Sequence, residues 1–126
     1  MGYIQDQAIV VSGWKGMKEV HSECVEIANK HGFDGIVSPL CKPQVNGTTT
    51  FLIAPDGSKE GWADSDRGDA MRDEIKAFLV GLPERLTWAH WVEVVVGGDS
   101  EFAPYISDSP RIREEKNERK GRQAQP

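Results

Sequence analysis

The hydrophobic positions of this chain follow two periods, and their order predicts the first two elements. Residues 8–12, "AIVVS", form a short apolar run, which is typical of a buried central strand. From Met17 to His31 the apolar residues recur every three or four positions, which is the spacing of an amphipathic helix. Gly32 follows as a C-terminal cap. The chain is therefore predicted to begin with a strand and a helix joined by the turn "GWKG".

The region after this helix predicts a hairpin. Residues 36–45, "IVSPLCKPQV", have the composition of a strand, but Pro39 and Pro43 each lack a backbone donor. The two prolines are four residues apart, so the N–H groups that they lack would lie on the same side of the strand. We therefore expect this strand at an edge of the sheet. Asn46-Gly47 is a strong signal for a two-residue hairpin turn. The β-branched and aromatic run 48–54 then predicts the returning strand.

The second half of the chain predicts a turn, a helix and a last strand. Residues 54–57, "APDG", carry the proline, aspartate and glycine of a type I turn that ends in positive φ. Residues 64–82 have apolar side chains at helical spacing, and Pro83 ends this helix. The run "TWAHWVEVVV" at 87–96 predicts the last strand.

The resulting order, strand–helix–strand–strand–helix–strand, predicts an α+β fold. We expect a βαββαβ ferredoxin-like sandwich, in which a four-stranded antiparallel sheet carries two helices on one face. The other face of the sheet would then be open. Depending on the strand register, Thr48, Thr50, Trp91 and Glu93 lie on that face, and we take them as a candidate interface. Dimerisation is the commonest way to cover such a face, so a homodimer is one expectation.

Charge separates the body of the chain from its end. The 126 residues fit a single domain at 1–98, followed by a charged tail at 99–126 that we expect to be disordered. The net charge is -5, yet residues 111–126 hold six basic and three acidic residues. The rest of the chain is therefore strongly acidic. This argues against nucleic-acid binding, because phosphate contacts need a basic surface.

The lack of recognisable targeting signals and the pattern of cysteines indicate the compartment of the protein. No apolar run approaches the roughly 18 residues that a membrane-spanning helix needs. The N-terminus also lacks the basic and apolar segments of a signal peptide. The two cysteines, Cys24 and Cys41, lie in different predicted elements. We interpret them as reduced, buried thiols and expect a cytoplasmic protein that does not associate with a membrane.

Two groups of aromatic and cationic residues are candidates for ligand binding. Trp14 and Lys15 lie on one predicted loop, and Ser58, Lys59 and Trp62 follow the turn at 54–57. Aromatic rings stack on planar ligands, and lysine meets an anion as a point charge, so these residues indicate a site for a small anionic ligand. Alternatively, the tryptophans cover the ends of the core and the lysines are solvated. No glycine-rich phosphate loop accompanies them, and no cofactor is predicted.

Acidic residues cluster at the start of the second predicted helix, at Asp64, Asp66 and Asp69. Carboxylates suit Mg²⁺ or Ca²⁺, so a metal-dependent hydrolase that uses these three residues is one hypothesis. Acids at a helix N-terminus also stabilise the helix dipole, and the spacing departs from that of an EF-hand loop. We therefore predict no metal site, and we lean against an enzyme because the sequence shows no clear pairing of a nucleophile with a base.

The segment "VNGTTTFLIAPDGSKEGWADSDRGDAMRDEIKAFL", with the later "WVEVVVGGD", resembles small proteins encoded by tailed phages and prophages. The shared features are the Asn-Gly turn, the "PDGSKEGW" run, the Ser-Asp-x-Gly-Asp helix start and the Trp-Val-Glu strand. The resemblance covers residues 8–99 and brings no catalytic residues with it. It implies expression in the cytoplasm of an infected bacterium, where small phage proteins often act by binding.

Three functional hypotheses follow. The first is a phage accessory protein that acts by binding, either by blocking a host factor or by sequestering a small anionic ligand. The second is a phage structural or assembly protein that docks on another phage protein through the open face of its sheet. The third is the metal-dependent hydrolase.

Overall fold

A computed structural model describes residues 5–59, 61–83, 86, 89–97 and 105–108, and it shows an α+β architecture. No helix in these ranges is long and apolar enough to cross a membrane. In chain order the elements are β1 (Gln5–Gly13), α1 (Met17–Lys30), β2 (Thr49–Ile53), α2 (Ala63–Val80), β3 (Ala89–Gly97) and β4 (Tyr105–Asp108).

Three strands form the body of an open antiparallel sheet, in the order β2-β1-β3. Strand β1 pairs with β3 over its whole length and with β2 from Ile9 to Gly13. Its apolar run is therefore flanked by a strand on each side, which confirms the predicted central strand. The predicted strands at 48–54 and 87–96 are also present, with ends displaced by one or two residues.

The core lies between one face of this sheet and the two helices. The face contributes alternate residues of the strands, including Ile9, Val11, Phe51 and Ile53, which are at most 1% exposed. The apolar positions predicted for α1 are all buried in the same cluster: Met17, Val20, Cys24, Ile27 and Ala28. Helix α2 adds Met71, Ile75 and Leu79 to that cluster. The helical spacing of the sequence therefore predicted correctly which faces of α1 and α2 are buried.

The predicted edge strand at 36–45 is not a strand in the structure. An isolated bridge joins Val37 to Ile53, and the N–H groups of Ser38 and Cys41 donate to the carbonyls of Leu52 and Thr50 at 2.8 Å each. The segment therefore follows the edge of β2 without forming a regular ladder. The prolines at 39 and 43, which have no backbone donor, account for the interruption. The prediction of a hairpin of two full strands is thus wrong, although Asn46 and Gly47 both adopt the positive φ of the predicted turn.

A short strand lies beyond the predicted end of the domain. Residues 105–108 form β4, which pairs antiparallel with Val92–Val95 of β3. This pairing extends the sheet to Asp108. The tail prediction for residues 109–126 falls outside the described residues.

Candidate functional site

The residues predicted to bind a ligand do not meet at one place. Trp14 and Lys15 follow the end of β1 that pairs with the start of β2. Lys59 and Trp62 follow the other end of β2. The two ends of this pairing, Ile9 and Gly13, are four positions apart on β1, which is about 13 Å at the rise of a strand. The predicted single site is therefore corrected to two Lys–Trp pairs at opposite ends of the sheet.

Each pair nevertheless has the internal geometry of a cation–π contact. The Nζ atom of Lys15 lies 4.6 Å from the centroid of the Trp14 ring, and that of Lys59 lies 5.5 Å from the centroid of the Trp62 ring. Both indoles are 51% exposed. Contacts of this kind contribute about 0.5–1 kcal/mol at exposed sites. The two pairs are thus chemically matched but differ in what surrounds them.

Ser58, the fifth predicted residue, belongs to the turn rather than to a ligand surface. Its side chain is buried, and both its backbone N–H and its hydroxyl donate to Oδ1 of Asp56, at 2.8 and 2.5 Å. A serine whose polar groups close the turn in this way presents little to a ligand. Ser58 is therefore removed from the candidate site.

A buried ion pair joins this turn to α2. Nη1 of Arg72 donates to Oδ2 of Asp56 at 2.9 Å, and Nη2 donates to Asp69 at 2.6 Å. The side chains of Asp56 and Arg72 are only 7% and 5% exposed. Gly68 makes the approach possible, because a Cβ atom there would lie 1.9 Å from Oδ2 of Asp56. The run "PDGS" therefore has a structural role, and Asp56 is the residue that attaches it to α2.

Hydrogen bonds outweigh burial in setting the charge of this pair. Burial raises the pKa of Asp56, but the hydrogen bonds from Ser58 and Arg72 outweigh it and hold the pKa below its ordinary value. Burial likewise lowers the pKa of Arg72, and the hydrogen bonds to Asp56 and Asp69 raise it overall. Both groups are therefore charged at neutral pH.

The four predicted interface residues lie on both sides of the sheet. Trp91 and Glu93 are 8% and 6% exposed and face the helices, where Lys76 approaches Glu93 at 3.3 Å. Their placement on the open face is wrong, because Trp91 pairs with Val11, whose side chain faces the core, and Glu93 lies two residues later on the same side of β3. Thr50 does lie on the open face, where its hydroxyl is 2.7 Å from that of Ser12. Thr48 is exposed and precedes β2.

Two of the three acids of the hydrolase hypothesis have basic partners. Asp69 binds Arg72, as described above, and Asp64 accepts a hydrogen bond from Arg67 at 3.1 Å. A metal ion would have to displace these guanidinium groups. Within the part of the chain that the structure describes, no three His, Cys, Asp or Glu side chains are placed to hold a metal ion.

A cavity begins at Trp14. It has a volume of about 560 Å³ and lies between the first turn of α1 and residues 40–43. Trp14, Gly16 and Met17 form one wall, and Leu40 and Pro43 contribute to the other, so that the surface is mainly apolar and aromatic. Gly16 has a φ of 73°, and a Cβ atom there would lie 2.0 Å from the side chain of Leu86. A glycine is therefore required where the chain turns into α1.

Lysines surround this cavity in an otherwise acidic protein. Lys18 and Lys42 line it from opposite walls, and Lys15 lies against the ring of Trp14. Glu19 supplies the acidic group among the described lining residues. Since the chain as a whole has a net charge of -5, this end of the sheet is a local concentration of positive charge. An apolar pocket with cations at its rim suits an anion with an apolar body.

The two cysteines differ sharply in their surroundings. Cys41 is exposed and lines the cavity, whereas Cys24 is fully buried in the core. Burial, with a smaller contribution from Glu23, raises the pKa of the Cys24 thiol to about 12. Cys24 is therefore inert near neutral pH, and Cys41 is a natural reporter of the cavity. The expectation that both thiols are reduced agrees with their separate positions, but the expectation that both are buried is wrong for Cys41.

Of the residues that line this cavity, the sequence predicted Trp14 as a binding residue and did not predict the others. Its second wall comes from residues 40–43, which the composition indicated as a strand. The two prolines that bracket this segment were the available signal, since they predict an interrupted edge. Comparison of the chain with protein-family models, curated proteins and solved structures found no match.

Proposed function

We propose that this protein acts by binding a small anionic ligand with an apolar body in the cavity beside Trp14. The observation that carries this proposal is the cavity itself, whose 560 Å³ fall within the range of about 300–1,000 Å³ that is typical of small-molecule sites. Met17, Leu40 and Trp14 offer an apolar contact surface to the body of the ligand. Lys18 and Lys42 are positioned at the same cavity to meet its charge.

The surroundings of the cavity support the same proposal. Gly47 lies beside the indole of Trp14, since a Cβ atom at this glycine would be 3.6 Å from the ring. The turn at 46–47 therefore lies against the indole of Trp14, and Val45 next to this turn is 71% exposed. Large apolar groups that remain exposed together are typical of binding surfaces. The resemblance to phage and prophage proteins supplies a biological setting, in which the ligand is sequestered in the cytoplasm of an infected bacterium.

The experiment compares the two Lys–Trp pairs. The probe is 8-anilinonaphthalene-1-sulfonate, which combines an aromatic body with one negative charge. We expect Trp14→Ala to weaken probe binding at least tenfold by fluorescence titration, which is the effect of about 1.4 kcal/mol of lost contact. Trp62→Ala is the matched control, because Trp62 is equally exposed and has its own lysine. Equal losses in the two variants would contradict the proposed site.

Protection of Cys41 provides a second readout. A ligand in the cavity should slow alkylation of this thiol by iodoacetamide, and Cys24 should remain unmodified with or without the ligand. Native mass spectrometry of protein purified gently from its bacterial host would then show the natural ligand as an added mass. Saturating probe that leaves the alkylation rate of Cys41 unchanged would count against the cavity as the binding site.

A second candidate function is assembly through the open face of the sheet, with a second copy of the chain as the partner. On this face lie Val10, Leu52 and Val92, which are partly or largely accessible and carry no charge. These three residues form an uncharged patch, where two copies of a chain with net charge -5 can meet without direct contact between carboxylates. Asp6 lies on the same face, four residues before Val10 on β1. Leu52→Lys should then convert a dimer to a monomer in sedimentation equilibrium. A wild-type protein that sediments as a monomer at high concentration would exclude this mode.

We also propose that the fold is a variant of the ferredoxin-like sandwich. The bridge from Val37 to Ile53 is antiparallel, and β2 is antiparallel to β1. Residues 36–41 therefore run parallel to β1 and are separated from it by β2, as in a split βαβ unit. An experimental structure in which this segment leaves the edge of β2 would contradict the assignment.

A further inference from the structure

We propose that His21 is a positioning residue that sets the separation between the two walls of the cavity, an inference that rests on the function proposed above. The outer wall is defined here as residues 39–43, and the inner wall as the first turn of α1. Leu40, Cys41 and Pro43 of the outer wall line the cavity, as does Met17 of the inner wall.

The outer wall has few bonds of its own to the sheet. Pro39 and Pro43 have no backbone N–H. Among the described residues, one backbone hydrogen bond joins the wall to β2, from the N–H of Cys41 to the carbonyl of Thr50 at 2.8 Å. Leu40 packs against the hydrophobic core, and the wall is also attached through the residue that precedes it. That residue is Ser38.

Ser38 is fixed by all of its polar groups. Its N–H donates to the carbonyl of Leu52 at 2.8 Å, and its hydroxyl oxygen accepts from the N–H of Leu52 at 2.9 Å. Its carbonyl oxygen lies 2.8 Å from Nε2 of His21. Because a carbonyl oxygen can only accept, Nε2 of His21 carries the hydrogen. The first two bonds tie Ser38 to the sheet, and the third ties it to α1.

The imidazole ring of His21 is itself held in place. It meets the ring of Phe51 edge-on, with centroids 5.1 Å apart and an interplanar angle of 88°. Phe51 is 1% exposed and belongs to the core. His21 also lies four residues after Met17, so the two side chains project from the same side of α1. One helix therefore supplies the inner wall and, one turn later, the tether of the outer wall.

The test uses two substitutions at one position. His21→Phe retains a ring against Phe51 and removes the hydrogen bond, whereas His21→Gln retains a side-chain N–H donor. In His21→Phe we expect the amides of Ser38 and Cys41 to exchange about fivefold faster with solvent, the effect of one ordinary hydrogen bond. We expect the amide of Val11 in central β1 to keep its exchange rate. His21→Gln should restore the wild-type rates at Ser38 and Cys41.

Ligand kinetics provide the functional readout. Release of 8-anilinonaphthalene-1-sulfonate, measured by stopped-flow displacement, should be about fivefold faster in His21→Phe, because the outer wall opens more often. His31→Phe is the control, since His31 contacts Glu74 at the other end of the same helix. Unchanged exchange at Ser38 and Cys41 in His21→Phe would overturn the role of His21. Faster exchange with no probe binding by the wild type would instead overturn the proposed function and leave the tether intact.

Discussion

Replacement of Asp56 by alanine tests the buried ion pair most directly. The substitution removes three hydrogen bonds to the carboxylate, two from Ser58 and one from Arg72. It also leaves the guanidinium of Arg72, which is 5% exposed, with Asp69 as its remaining acidic partner. The turn at 54–57 loses its attachment to α2 at the same time.

The expected magnitude follows from burial. Removal of one partner from a buried ion pair costs about 3–5 kcal/mol, because the other charge is left without compensation. Asp69 still binds Arg72, but its side chain is 50% exposed, so it offsets the loss only in part. We therefore expect Asp56→Ala to lower the free energy of unfolding by about 3 kcal/mol. This is a large share of the roughly 5–15 kcal/mol of a typical domain.

Urea denaturation followed by tryptophan fluorescence gives this free energy. Asp69→Ala is the matched control, because it removes a more exposed carboxylate from the same arginine and should cost less than about 1 kcal/mol. The double variant Asp56→Ala/Arg72→Met removes both buried charges, and we expect it to recover most of the lost stability. A loss below about 1 kcal/mol in Asp56→Ala, or additive losses in the double variant, would refute the reasoning.

The pH dependence of the free energy of unfolding provides an independent test of the same ion pair. The pKa of Asp56 is lowered from 3.8 in the folded protein, so the unfolded chain takes up a proton first as the pH falls. The stabilisation from this residue is therefore fully present above about pH 4 and is lost as the pH falls through the folded pKa. The stability difference between wild type and Asp56→Ala should narrow over that acid range. A difference that stays constant down to pH 2 would contradict the lowered pKa.

Three further predictions concern other parts of the protein. Gly68→Ala should destabilise the wild type by more than about 1 kcal/mol in urea denaturation, because its Cβ would meet Asp56, but should cost little in Asp56→Ala. In intact-mass measurements at pH 8, iodoacetamide should add one label, at Cys41, since Cys24 is buried with a raised pKa. Glu93→Gln should leave the oligomeric state unchanged in sedimentation, because this side chain faces the helices.

The spacing of apolar residues predicted the helices and three strands, because this spacing follows which side chains are buried. Met17, Val20 and Cys24 recur at the helical period, and each is buried in the cluster that the period implies. The run at 8–12 is apolar on both faces, and β1 accordingly pairs with a strand on each side. Strand β4 was not predicted, because the short run at 105–108 has no comparable pattern of apolar residues.

The register of β3 shows where a local pattern is insufficient. The run "WVEVVV" has apolar residues at both parities, so alternation does not say which set faces the core. A displacement of one residue exchanges the faces, and it was pairing with β1 that placed Trp91 and Glu93 towards the helices. A buried glutamate is acceptable there because Lys76 of α2 reaches it.

The sequence by itself determined the two helices, the strands β1, β2 and β3, the buried faces of α1 and α2 and the turn chemistry at 46–47 and 54–57. These features depend on residues close together in the chain. The positions of the buried ion pair and of the cavity were decided only by the tertiary structure. Asp56 and Arg72 are 16 residues apart, and Trp14 and Leu40 are brought to one cavity by the packing of α1 against the edge of β2. Antiparallel pairing likewise sent Trp14 and Trp62 to opposite ends of the sheet. Contacts between distant residues depend on strand order and register, which the local periodicity of this chain does not encode.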